Sequence, residues 1–292
     1  MERQLEALLK WVDVAIEVLD ARLPQVTINP RLRKKLQNKP VLILLNKSDL
    51  ADPAETKRWR QFFQNQADQD ALLYDAHKAG QHKQALLNAV IRLGEPRMQA
   101  LERKGMKRRP IRVLVIGMPN VGKSSVINSI VAKKKAKTGH KAGVTREPQW
   151  VRIHPAVELL DSPGIIPPRL DSEAAGLLLA TVSSVGEAAY DEETVARFLL
   201  GHLETLYPGL LRTHYQLPES SPVTMEAIAE ARHYLAAGGR IDTRRATQAL
   251  LTDFRQGRLG RLTLEPYGRP EVLTLPESEP MAEEDFEDLL DP

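Results

Sequence analysis

Eight consecutive residues carry the strongest chemical signal in the chain. Gly117-Met-Pro-Asn-Val-Gly122-Lys123-Ser124 sets two glycines, a lysine and a hydroxyl at the spacing of a loop that wraps phosphates. The apolar run Ile111–Ile116 precedes it and a helical stretch from Ser125 to Val131 follows, which is the strand–loop–helix context such a loop needs. Glycines let successive backbone N–H groups and the helix N-terminus face an anion, Lys123 brings a point charge, and the Ser124 hydroxyl suits magnesium. Asn120, Val121, Gly122, Lys123, Ser124 and Ser125 form the predicted phosphate cradle.

The base must be chosen elsewhere. Asn46-Lys47-Ser48-Asp49 ends the apolar run Val41–Leu45. A carboxylate at Asp49 can accept from guanine N1–H and the exocyclic amine together, whereas adenine offers neither donor in that geometry. Such a site rejects the wrong base by ~10⁴ or more. Asn46 is expected to brace the neighbouring loop and the Lys47 stem to lie along the base. Asp75-Ala76-His77-Lys78, after the third predicted strand, sits where a backbone N–H can meet guanine O6. GTP and GDP are therefore the predicted ligands, and Asn46–Asp49 speaks against an ATPase or kinase.

Downstream, Asp161-Ser162-Pro163-Gly164 ends the apolar run Val157–Leu160. There Asp161 can hold magnesium through water and the Gly164 N–H can sense the terminal phosphate. Between this stretch and the phosphate loop, Gly143-Val144-Thr145 offers a second hydroxyl for the metal, so Ser124, Thr145 and Asp161 are the candidate Mg²⁺ set.

Each of these stretches has to be carried by an element. Val12–Leu19, Val41–Leu45, Ala71–Tyr74, Ile111–Ile116 and Val157–Leu160 read as strands separated by helical segments, one of them around Lys83–Leu93 and leading to a basic linker, Arg103–Pro110. The pattern predicts an α/β domain with a mostly parallel sheet over 1–182. Beyond it, helices are predicted at Glu192–Thr205, Val223–Ala236 and Thr243–Arg255, the last with Asp242 as N-cap and Gly257 as terminator. These make a small, mainly helical unit over 183–275. All the chemical stretches are expected on loops at the carboxyl edge of the sheet, in an order rotated from that usual in GTPases. One sheet edge can gather them in either order.

The chain has 292 residues, 42% of them hydrophobic, and no cysteine. Disulfides, thiolate metal sites and cysteine catalysis are excluded. No apolar run approaches the ~20 residues of a membrane span, and no secretory leader is apparent. A cytoplasmic monomer is the expected form. The last stretch, 276–292, holds eight acids and no base, so the net charge of +3 conceals +11 on the rest of the chain. That tail reads as disordered, and the basic body implies a polyanion such as RNA. Lysines crowd the 133–141 loop, and Arg240, Arg244, Arg245, Arg255, Arg258 and Arg261 surround the last helix. With 5% aromatic residues, backbone and shape recognition of folded RNA is favoured over base stacking.

The order Asn-Lys-Ser-Asp, Gly-Met-Pro-Asn-Val-Gly-Lys-Ser-Ser, Gly-Val-Thr, Asp-Ser-Pro-Gly, preceded by Asp20-Ala-Arg22-Leu-Pro24, resembles the circularly permuted ribosome-biogenesis GTPase A family from Glu2 to about Glu265. The resemblance implies a GTPase that binds the large ribosomal subunit and its rRNA late in assembly, through a helical C-terminal domain. It also links the asparagine at Asn120 to a potassium ion. Two departures stand out. The family's N-terminal Pro-Gly-His turn has no counterpart here, so no catalytic residue is assigned, and the reading frame is expected to extend upstream of Met1. Ile165 stands where many GTPases place a water-orienting glutamine, and His140 in the basic loop is a weak substitute. A non-hydrolysing, nucleotide-gated RNA-binding scaffold is the alternative.

Overall fold

The computed structural model describes residues 8–36, 39–131, 149–161, 172–185 and 190–269. Its centre is a six-stranded sheet of β1 (Val14–Asp20), β2 (Val41–Asn46), β3 (Gln69–Leu73), β4 (Ile111–Gly117), β5 (Gln149–His154) and β6 (Val157–Asp161), in the order β3-β2-β1-β4-β6-β5. The first five strands in that order are joined by four parallel pairings, and β5 is antiparallel to its partner β6. β1 and β2 are buried along their whole length, which is why they read as near-continuous apolar runs.

Side-chain alternation divides two cores. Val14, Ile16, Val18, Leu42, Leu44, Val113 and Val115 face helices α3 (Ala79–Arg103) and α4 (Lys123–Ile130), meeting Leu86, Val90 and Val126. Ala15, Leu19, Ile43, Leu45, Leu114 and Ile116 face the other way, onto α1 (Pro30–Leu36) and α2 (Pro53–Gln64), where Leu32, Trp59 and Phe63 are buried. Glu17 interrupts the second face. Burial raises its pKa, against the pull of the Arg33 guanidinium 2.5 Å away.

The fold bears out the mostly parallel α/β domain and adds details. β5 has no counterpart among the predicted strands. Its residues Gln-Trp-Val-Arg-Ile-His form an edge strand, and Arg152 pairs with Glu158 across the ladder at 2.8 Å rather than joining an apolar run. α3 runs well past Leu93, through Pro96 to Arg103, which shortens the basic linker to Lys104–Pro110. The predicted Val223–Ala236 helix is α8 (Met225–Ala231), started by a Thr224 side-chain cap. After it the chain turns, and Leu235 bridges Ile241.

Among the described residues, the C-terminal part has four more helices: α5 (Glu173–Thr181), α6 (Glu192–Leu206), α7 (Leu210–Tyr215) and α9 (Thr243–Arg255). α9 has its predicted ends, with the Asp242 side chain accepting from Arg245 N–H and Gly257 at φ +72°. A third core joins Leu177 and Leu178 of α5 to Leu199, Leu203, Ile228, Leu250 and Phe254, and takes in Leu23 from the loop after β1. The segment after α9 then crosses back over the sheet domain. Leu262 N–H donates to Leu50 O, Leu264 N–H to Arg22 O, and the Trp59 indole N–H to Glu265 O at 2.7 Å.

Candidate nucleotide-binding site

The phosphate loop follows β4 and ends in α4. Gly117 has φ +150°, and a Cβ there would meet Val18 O at 2.4 Å; Gly122 has φ +95°, and a Cβ there would meet Asn46 Nδ2 at 2.3 Å. Both glycines are thus demanded by close approach to β1 and β2 as well as by the turn. Gly122 is the N-cap of α4 and brings no side-chain hydrogen bond, so the first N–H groups of that helix are left for an anion. Lys123 Nζ folds back to donate to Met118 O, and burial lowers its pKa. A phosphate beside it would pull that pKa back up.

Asn46 and Lys47 reach this loop from the end of β2. Asn46 Nδ2 donates to Val121 O at 2.8 Å, the bracing role read from sequence, and Lys47 Nζ donates to Asn120 O at 2.9 Å. Lys47 is held from behind by the Asp20 carboxylate, 2.9 Å away, and Asp20 is gripped by Arg22 through Nε at 2.9 Å and Nη2 at 2.8 Å. Burial alone would raise the Asp20 pKa, but the Arg22 guanidinium and the Lys47 ammonium together hold it far below the usual aspartate range. Arg22 also donates through Nη1 to Phe254 O and Arg255 O at the end of α9.

In the sequence, Asp20-Ala-Arg22-Leu-Pro24 stands out only as part of a resemblance, with no role attached. The available signal was two opposite charges closing a strand that is apolar but for Glu17.

Ser48 ties the base-reading stretch to the loop after β3, since its N–H and Oγ both donate to Tyr74 O, at 3.2 and 3.0 Å. In that loop Asp75 Oδ1 accepts from His77 N–H at 2.8 Å and opens a 3₁₀ turn over Ala76–Lys78. The Asp49 carboxylate has no hydrogen bond or ion pair among the described residues, and neither has the Ala76 N–H. Asn120, at φ +55°, donates through Nδ2 to Ser183 O at 2.6 Å, just past α5.

The fold therefore brings together Asn46, Lys47, Asn120, Val121 and Gly122, with Asp75 and Ala76 joined through Ser48. Ser124 and Ser125 are exposed at the start of α4. Asp161 ends β6, but its side chain lies outside the described residues, as do Thr145, Gly164, Ile165, His140 and the 276–292 tail. Among the described residues no group of three or more His, Asp or Glu could hold a metal.

Residues 112–197 match the family described as 50S ribosome-binding GTPase. The chain is 36% identical over 266 residues to ribosome biogenesis GTPase A of Bacillus pumilus, covering 90% of this chain and 94% of that one. The chain belongs to the ribosome biogenesis GTPase A family.

It is a circularly permuted P-loop GTPase of ribosome biogenesis, it binds GTP and GDP, and it hydrolyses GTP. The non-hydrolysing alternative falls away. The Bacillus cereus ribosome biogenesis GTPase A is 37% identical over 266 residues, with 90% of this chain and 89% of that protein covered. The Thermotoga maritima ribosome biogenesis GTPase A is 31% identical over 273 residues, with 94% and 92% covered. The solved GNP-bound YlqF of T. maritima has a TM-score of 0.58 and 28% identity over 91% of this chain and 97% of that one. The GDP-bound form has a TM-score of 0.61 and 28% identity over 91% and 99%. Among the described residues of this family member, no helix is long and apolar enough to cross a membrane.

Proposed function

We propose that this GTPase assists late assembly of the large ribosomal subunit, and that its GTP state sets how the helical unit from about residue 183 engages rRNA. In this reading Asp49 pairs with guanine, Lys47 lies along the base, the Ala76 N–H meets O6, and Asn120 to Ser125 surround the phosphates with Lys123 as counter-charge. Ser124, Thr145 and Asp161 would hold Mg²⁺. Their hydroxyl and carboxylate oxygens are the hard donors that ion takes, and the ion would neutralise phosphate charge. The Gly164 N–H would touch the terminal phosphate. Asn120 already gives its amide N–H to Ser183 O, which leaves its side-chain oxygen as the group that would face K⁺.

The observation that carries the reading is the Asn120–Ser183 bond. It joins the phosphate loop directly to the chain leaving α5 for the helical unit, so a ligand that moves Asn120 acts on that unit without an intermediary. The test is co-sedimentation of the protein with large subunits in a non-hydrolysable GTP analogue and in GDP. A clear difference in bound fraction is expected. Equal binding in both states ends the gating reading, and no binding in either ends the ribosomal one.

A further inference from the structure

Away from the nucleotide edge, a cavity of about 450 Å³ opens between α7, α8 and α9, lined by His214, Arg232, Tyr234, Arg245, Asp253 and Arg258 among others. Three guanidinium groups converge there and are fixed before any ligand arrives. Arg232 stacks on Tyr215 at 5.2 Å and donates to His214 O at 3.3 Å, while Arg245 stacks on Tyr234 at 4.9 Å. Arg258 pairs with Asp253 Oδ1 at 3.0 Å.

Asp253 is the one acid in the wall, and it is already answered. Besides Arg258, its Oδ2 accepts from the Tyr215 hydroxyl at 2.9 Å and lies 3.4 Å from His214 Nε2. The cavity therefore keeps a cationic surplus. Among the described residues the Arg245 guanidinium makes no hydrogen bond, so its planar set of donors is free to take an anion.

We infer that this cavity takes a phosphodiester of an RNA strand, with Arg232 and Arg245 gripping the phosphate oxygens and Arg258 completing the cationic wall. The inference rests on the RNA reading above and gives it a location. A strand fits better than a free phosphate because the basic surface continues beyond the cavity. Residues 235–240 form an exposed turn with Gly238 and Gly239 both at positive φ, so no Cβ keeps a backbone away, and exposed Arg240 and Arg244 extend the charge.

The test uses the full chain, a labelled large-subunit rRNA transcript, and binding measured across a salt series. Arg232→Ala, Arg245→Ala and Gln248→Glu are compared with Arg197→Ala, which removes an exposed arginine of α6 outside the cavity. Gln248 is an exposed lining residue, so its glutamate adds charge without removing packing. Each cavity variant should bind about tenfold more weakly or worse, and each lost contact should flatten the salt slope by about 1. GTP turnover without RNA should stay unchanged. Arg245→Lys should recover only part of the loss, because it restores charge without the planar stack.

Cavity variants that match Arg197→Ala overturn the cavity while leaving the RNA reading standing. A wild-type protein that ignores the transcript overturns both. Competition by micromolar inorganic phosphate, at a fixed nucleotide state, overturns the strand in favour of a small anion.

Discussion

Replacing Asp20 by asparagine removes the charge at the centre of a buried chain of contacts that runs from Lys47 through Arg22 to the last turn of α9. Asp20 is wholly buried and Arg22 is 2% exposed, so Arg22 would be left as a buried cation with only amide and carbonyl partners. Breaking such a pair from one side costs about 3–5 kcal/mol, and the retained amide oxygen places this variant near the lower end. Lys47 keeps its bond to Asn120 O but loses its second anchor, worth ~1–2 kcal/mol, so guanine nucleotides should bind about 5- to 30-fold more weakly. The pH behaviour separates charge from shape. Because the folded Asp20 pKa is depressed, its stabilisation is fully present above the ordinary aspartate value of ~3.9 and fades only as pH falls towards the lower folded one. The stability gap between wild type and variant should therefore be constant from about pH 6 to 8 and shrink in acid. Urea denaturation across pH, with fluorescent-GDP titration, reads both quantities. An unchanged midpoint together with unchanged affinity would refute the argument.

Three further outcomes are expected. Asp49→Asn should lose GDP affinity by about 10²-fold or more and gain xanthosine diphosphate, whose C2 carbonyl accepts from the new amide; calorimetric titration with both nucleotides decides, and retained guanine preference would move base recognition elsewhere. Gly122→Ala forces a Cβ to within 2.3 Å of Asn46 Nδ2 at φ +95°, so nucleotide binding should fall at least about tenfold while the melting temperature drops by only a few degrees. Glu265 is pushed by burial from the usual 4.5 to about 8, although Gln25 and Val26 N–H groups pull it back. A raised acid is protonated in the fold and ionised in the unfolded chain between those two values, so stability falls as pH rises from 4.5 to about 8 and is flat above. That is worth about 5 kcal/mol across the window at ~1.4 kcal/mol per pH unit, and Glu265→Gln should lack that slope in denaturation curves taken from pH 5 to 9.

Several elements were legible because their requirements are local. The phosphate loop announces itself through two glycines, and the same positions prove to need them, at φ +150° and +95°. Asn46 was readable as a brace because an amide at the end of an apolar strand has few other uses. α9 was readable to its ends because Asp242 and Gly257 are capping residues acting within one turn. Edge strand β5 escaped because a half-covered strand has no apolar run, and α3 continued through Pro96 because packing on the sheet outweighs one missing hydrogen bond.

What the amino-acid sequence determined by itself was the inventory: a phosphate loop, a guanine-reading stretch, strands to carry them and a basic helical part to follow. Only the tertiary structure decided which groups share a proton or a charge. In the network of Asp20, Arg22, Lys47 and the end of α9, the Arg22–Arg255 contact alone spans 233 residues of chain. Glu265 meets its donors Gln25 and Val26 across 240 and 239 residues. Hydrogen bonds and ion pairs fall off within a few ångströms, so their partners are set by how strands and helices stack in space, and no spacing along the chain encodes that distance.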